Sequence, residues 1–188
     1  MKRSMNSDSH PSLSQIITKF FFILGLTLLL IVLWSAPVAL AKVQFLKEAD
    51  RWIYQSQQML TDTQGNLWEI TVLKPMEQDS KGVYLWLTTQ ANEIYLDAAQ
   101  PLIVKTNSGQ KLSAPNLTQQ YFVGELPDPQ VGRYDIEMLL ANIKDKQSLQ
   151  LELSTKTNTP ISLVIPAKVL DEWLNVGTCE YLICMGSQ

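Results

Sequence analysis

The stretch Leu149-Gln150-Leu151-Glu152-Leu153-Ser154-Thr155-Lys156-Thr157-Asn158-Thr159-Pro160-Ile161-Ser162-Leu163-Val164-Ile165 decides how this chain folds. Leu149, Leu151 and Leu153 alternate with Gln150, Glu152 and Ser154, the two-residue period of a half-buried strand. The segment from Thr155 to Pro160, rich in Thr, Asn and Pro, breaks the pattern, and Ile161, Leu163 and Ile165 resume it. Strand, turn and strand in this order predict an antiparallel pair with its aliphatic side chains on one face.

The same grammar extends toward the N-terminus. Trp52–Leu60 and Leu67–Lys74 flank Asp62-Thr63-Gln64-Gly65-Asn66, a hairpin with a glycine-containing loop. Trp68, Ile70 and Val72 share one face of its second strand. Val83, Leu85 and Leu87 fall on one side of the next strand, Tyr84 and Trp86 on the other. Glu93–Asp97 is a short strand candidate. Leu102–Thr106 and Gln110–Ser113 bracket Asn107-Ser108-Gly109, another turn signal. Two segments carry the helical period instead. Ile136, Leu139, Leu140 and Ile143 recur at i, i+3, i+4 and i+7 behind Asp135, an expected N-cap. Val169, Leu170, Trp173 and Leu174 do the same between Pro166 and Gly177, proline at a helix start and glycine just past its end. This second helix is expected to lay its apolar stripe on a sheet. The prediction is a mainly β domain, an antiparallel sandwich or open barrel, with a short inserted helix and a C-terminal helix. Glu125–Gln130 reads as a surface loop.

The first 41 residues read differently. Lys2, Arg3 and Lys19 precede the apolar block Phe20–Trp34, and Ala39-Leu40-Ala41 follows Pro37. This is the order of a secretory signal, with cleavage expected after Ala41. The alternative is an uncleaved anchor over about residues 20–40, the chain's one expected membrane contact. The organisation is then a signal at 1–41, a β-rich domain at 42–176, and a tail at 177–188.

Cleavage changes the chemistry available. The chain has 188 residues, 15 basic and 18 acidic, with one histidine, His10. Losing Lys2, Arg3, Lys19, Asp8 and His10 leaves 12 basic and 17 acidic residues and no histidine. That excludes Ser-His-Asp and Cys-His nucleophiles and histidine-held metals. Neither a metal site nor a cofactor is expected. The acidic balance gives no footprint for nucleic acid.

The mature chain resembles a cyanobacterial secreted family, domain of unknown function 3122. The matching pieces are Tyr54-Gln55-Ser56-Gln57-Gln58, Gly65-Asn66-Leu67-Trp68, Gly109-Gln110-Lys111-Leu112, Val131-Gly132-Arg133-Tyr134-Asp135, and Ile165-Pro166 through Glu172-Trp173. They span about residues 48–176. The resemblance implies a cyanobacterial cell and export to periplasm or thylakoid lumen, and no activity.

Few residues stand out as sites. Cys179 and Cys184 sit within the tail, where an exported chain is expected to pair them; free thiols or a redox switch are the alternatives. Glu125, Asp128, Asp135 and Glu137 are the densest carboxylates, either acid–base candidates or turn and cap residues. Arg133 with Asp135 is a further candidate pair, or simply part of a strand-to-helix corner. Asn116-Leu117-Thr118 has the form of a glycosylation sequon. Tyr84 and Trp86 are the binding candidates, a platform if exposed together and core if covered. The leading expectation is a non-enzymatic binding or accessory protein acting on a protein partner. A carboxylate hydrolase of cell-wall or polysaccharide substrates is the alternative.

Overall fold

Alternation of aliphatic and polar residues builds two antiparallel sheets. The computed structural model describes residues 42–48, 51–77, 82–122, 128–144 and 146–180. Its strands are β1 (Lys42–Glu48), β2 (Arg51–Thr61), β3 (Leu67–Pro75), β4 (Tyr84–Thr89), β5 (Leu102–Thr106), β6 (Lys111–Ala114), β7 (Val131–Asp135), β8 (Leu149–Leu153) and β9 (Ile161–Ile165). The first sheet runs β1-β2-β3-β4-β7, the second β6-β5-β8-β9. Three helices accompany them among the described residues: α1 (Thr118–Tyr121), α2 (Glu137–Asn142) and α3 (Ala167–Thr178). The fold is mainly β, two open antiparallel sheets with a C-terminal helix. The expected signal at 1–41, including Ala39, Ala41 and the anchor alternative, lies outside the described residues, as do Cys184 and Glu125.

The predicted faces form one core. Trp68, Ile70 and Val72 from β3, Leu85 and Leu87 from β4, and Leu151, Leu163 and Ile165 from the second sheet are fully buried. Truncating any of these large side chains to alanine would cost about 2–5 kcal/mol in lost transfer and cavity energy. The turn after β8 holds Asn158 at φ 59, a left-handed conformation that Asn tolerates. There the Thr155 hydroxyl donates to Thr159 O at 2.8 Å.

α3 packs against β2 and β3. It buries Val169, Leu170, Trp173 and Val176, the face its 3.6-residue period gave. Two polar ties fix it. Lys74 Nζ donates to Gly177 O at 2.8 Å, and Ser56 Oγ donates to Glu172 Oε2 at 3.0 Å. Ser56 Oγ also lies 3.1 Å from Gln58 Oε1, while Gln58 Nε2 is buried without a partner among the described residues. Turning the Gln58 amide over removes the competition for the single Ser56 proton: the amide N–H then donates to Ser56, whose proton goes to Glu172.

Helix ends depart from the expected positions by a residue or two. Pro166 is the N-cap of α3 and not its first helical residue. Gly177 lies within the helix, which runs to Thr178 and so crosses the expected 176/177 boundary. A Cβ on Gly177 would stand 3.1 Å from Leu140 Cδ1, so the glycine serves close helix packing instead of a left-handed stop. Asp135 stands one residue before the N-cap Ile136 of α2, and its Oδ1 accepts the Glu137 N–H at 3.1 Å. Glu93–Asp97 is reduced to one isolated bridge, Leu96 to Thr155. No described helix is long and apolar enough to cross a membrane.

Candidate functional site: an aromatic groove on the outer face

Strand alternation that sends Leu85 and Leu87 into the core sends Tyr84 and Trp86 to the opposite face of the five-stranded sheet. Both are half-buried. Pairing then decides their neighbours. Leu73 lies opposite Tyr84 across β3–β4, and Arg133 lies opposite Trp86 across β4–β7. Ile53 faces Pro75 across β2–β3. These outward-pointing residues make the floor of a groove of about 430 Å³, with Leu117, Gln120, Tyr121 and Glu77 also lining it. Leu73 is only 6% exposed although it points away from the core.

The wall along the β7 side is α1 and the residues before it. Leu117 N–H donates to Arg133 O at 2.7 Å, and Arg133 N–H donates to Thr118 Oγ1 at 2.9 Å. Asn116 Oδ1 accepts the Thr118 N–H at 2.9 Å and its Nδ2 donates to Gln100 O at 3.0 Å. The Asn116-Leu117-Thr118 triplet is therefore used in anchoring this wall.

Arg133 occupies an aromatic corner. Its guanidinium carbon is 3.8 Å from the Trp86 ring centre and 3.3 Å from that of Tyr121. The two ring centres are 5.6 Å apart, too close for a parallel sandwich, so the rings meet the guanidinium from two sides at an angle. Cation–π attraction holds the group in place. Tyr121 is 57% exposed at the rim and meets Phe122 edge-on at 5.4 Å. The indole N–H of Trp86 is buried with no hydrogen-bond partner among the described residues.

A second cleft, of about 540 Å³, is polar and lies among loops. Gln64, Asn66, Asn92, Glu93, Thr155 and Thr157 line it. Beside it, Asp62 is only 6% exposed. It accepts from Gln64 N–H, Asn66 N–H, Asn66 Nδ2 and Trp68 Nε1 at 2.8–3.0 Å. Burial pushes its carboxyl up, but these donors, the Asn66 side chain first, outweigh that and hold it below the ordinary value. Every lone pair of Asp62 serves the hairpin.

The other singled-out residues are dispersed. Asp128 Oδ1 accepts the Gln130 N–H at 2.9 Å, a turn contact. Asp135 accepts the Glu137 N–H from just ahead of α2, while Arg133 on the same strand turns to Trp86 and Tyr121. Cys179 follows α3 and is 4% exposed. Among the described residues no group of three or more Asp, Glu, His or Cys is placed to hold a metal ion. Sequence reading missed Tyr121 and Leu117, because a four-residue helix carries too few positions to show a period. It saw Arg133 without its aromatic neighbours, since β4 and β7 are more than forty residues apart in the chain.

These features define a small two-sheet β protein with an aromatic, arginine-containing groove on one outer face. The family model described as "Protein of unknown function (DUF3122)" matches residues 41–176, and the chain belongs to that family. No curated protein and no solved structure matches it.

Proposed function

We propose that this is an exported, non-enzymatic binding or accessory protein of the periplasm or thylakoid lumen, and that the groove beside Trp86 holds its protein partner. The observation that carries this is the groove itself. Tyr84, Trp86, Tyr121 and Arg133 are the residue types that dominate binding energy at protein interfaces, and here they converge on one open concavity. A carboxylate hydrolase would want two carboxylates about 5–10 Å apart in one cleft. The groove has one acid among its described lining residues, Glu77, and the polar cleft has one, Glu93. That supports binding over hydrolysis.

Export rests on the three-part N-terminus. It would expose Cys179 and Cys184 to oxidising conditions and close a small loop, worth about 2 kcal/mol at most. Intact mass after alkylation, with and without reductant, reads the pairing: two alkylated thiols in unreduced protein would exclude it.

The test of the function is crosslinking and co-purification from fractionated membranes, run in parallel on the native chain and Trp86→Ala. A discrete partner recovered with the native chain and lost with Trp86→Ala is expected. Recovery of the protein alone in every fraction would refute the proposal.

A further inference from the structure

The polar cleft is built from three turns, and the fold holds all three in place. The first is the β2–β3 turn, clamped by Asp62 and tied to β9 by the Thr63 N–H, which donates to Ser162 O at 3.1 Å. The second is the 91–97 segment after β4. Gln130 Nε2 donates to Ala91 O at 2.9 Å, and Leu96 N–H to Pro129 O at 2.7 Å. The third is the 154–160 turn between β8 and β9. Its Ser154 O accepts the Asp97 N–H and its Lys156 N–H donates to Tyr95 O, both at 2.9 Å. A cleft whose walls are already bonded to one another loses little conformational freedom when a ligand enters.

The turns are joined largely through backbone groups, which leaves side chains over. Gln64, Asn92, Glu93 and Thr159 are exposed in the cleft lining, and their side chains make no hydrogen bond among the described residues. Two carboxamides, a hydroxyl and a carboxylate thus border a space of about 540 Å³, within the range of small-ligand sites. Ala91 and Ile94 add apolar surface to the lining.

That lining selects by chemistry. No lysine or arginine belongs to it among the described residues, and Glu93, with the Asp62 carboxylate beside the cleft, repels an anion. A hard cation such as calcium wants about six to eight oxygens, charged ones among them, and one carboxylate lines this cleft. Peptide recognition uses a sheet edge, an apolar or aromatic groove, or a cluster of charge, whereas this lining is mostly turn residues with mixed polar heads. A saccharide fits. Each of its hydroxyls donates and accepts, as carboxamides and threonine hydroxyls do, and a carboxylate accepts from two neighbouring hydroxyls at once. We infer that the cleft is a binding site, separate from the aromatic groove, for a neutral saccharide, with Gln64, Asn92, Glu93 and Thr159 as its hydrogen-bonding groups.

Saturation-transfer NMR on the full chain, in a detergent without sugar headgroups, tests this. The probes are neutral trisaccharides of α-glucose, β-glucose and N-acetylglucosamine, with trigalacturonate as the anionic comparison. At least one neutral probe is expected to bind with a Kd of roughly 0.1–10 mM, the weak range of a few hydrogen bonds without an aromatic ring in the described lining, and trigalacturonate at least about tenfold more weakly. Gln64→Ala and Asn92→Ala should each weaken binding roughly twofold to tenfold, and Glu93→Ala about tenfold or more. An unchanged Tm checks that each variant is folded. Polymers of the same units separate the two sources of such a ligand: binding of trisaccharide but not polymer supports a free sugar, and tighter binding of polymer supports a polysaccharide. No saturation transfer from any neutral probe at about 10 mM to folded protein would overturn the assignment. So would binding that survives loss of all three side chains together, including the case in which Trp86→Ala abolishes it and moves the sugar to the groove. A rise in Tm with calcium, lost in Glu93→Ala and without any sugar binding, would make the cleft a cation site and overturn the assignment as well.

Discussion

Arg133 stands directly opposite Trp86 in the β4–β7 ladder, its guanidinium carbon 3.8 Å from the ring centre. The contact is a cross-strand pair on the face turned away from the core. It joins an edge strand to the sheet by side chains as well as backbone, and it fixes the one cation among the described residues of the groove lining. Tyr121 completes the corner from a different element, so the site depends on the fold bringing three separate segments together.

This pairing is expected to be measurable as coupling. In a double-mutant cycle of Arg133→Ala and Trp86→Ala, read by urea denaturation, the interaction energy should be about 0.5–2 kcal/mol, the range for a partly desolvated cation–π contact. Additive effects of the two substitutions would show that the stacking does not hold Arg133.

Asp62 should make the hairpin acid-sensitive. Its carboxyl is held below its ordinary value of 3.8, so its contribution is fully present above that value. It is lost as pH falls through the still lower folded value. Asp62→Ala is expected to cost about 2–4 kcal/mol at neutral pH, because four donors lose a charged acceptor and some stay buried. Denaturation from pH 7 to pH 2 should show a drop below pH 4 that is smaller in Asp62→Ala. An unchanged slope would contradict this role.

Gly132 is expected to resist substitution. A Cβ there would stand 2.9 Å from Tyr134 Cε2 and 3.1 Å from Leu96 Cδ1. Tyr134 is 2% exposed, and burial, with the Asp97 charge second, drives its phenol well above the ordinary range. The ring stays neutral in the core and has little room to shift. Gly132→Ala should therefore destabilise by about 1–3 kcal/mol, the usual cost of overpacking. Thermal unfolding of the variant checks it, and an unchanged Tm would show that the ring can move.

Much of the fold was legible because local patterning and burial agree. Leu149, Leu151 and Leu153 announced their strand, and Gly65 and Gly109 take the positive φ values their turns require. Trp68, Ile70 and Val72 were placed on one face and are all buried. Strand order was not legible, because β4 beside β7 and β5 beside β8 are long-range pairings that no short window records. The four-residue α1 was too brief to show a helical period. The site was half legible. Alternation put Tyr84 and Trp86 on one face, but only the β4–β7 register and α1 add Arg133 and Tyr121.

The N-terminal reading makes a separate prediction. The exported protein should begin at Lys42, the first residue of β1. Edman sequencing or N-terminal peptide mapping of the fractionated protein checks it. A start at Met1 would replace the cleaved form with the anchored one.

The most direct test of the groove is site-specific photocrosslinking in the native cell. A photoreactive residue is placed at Gln120, on the groove wall, and in a second strain at Val164, which points to solvent from β9 at 52% exposure. If the groove is the binding surface, position 120 should give a discrete protein adduct that position 164 does not, and Trp86→Ala should remove it. Identical adducts from both positions, or none from position 120 in folded protein, would contradict it.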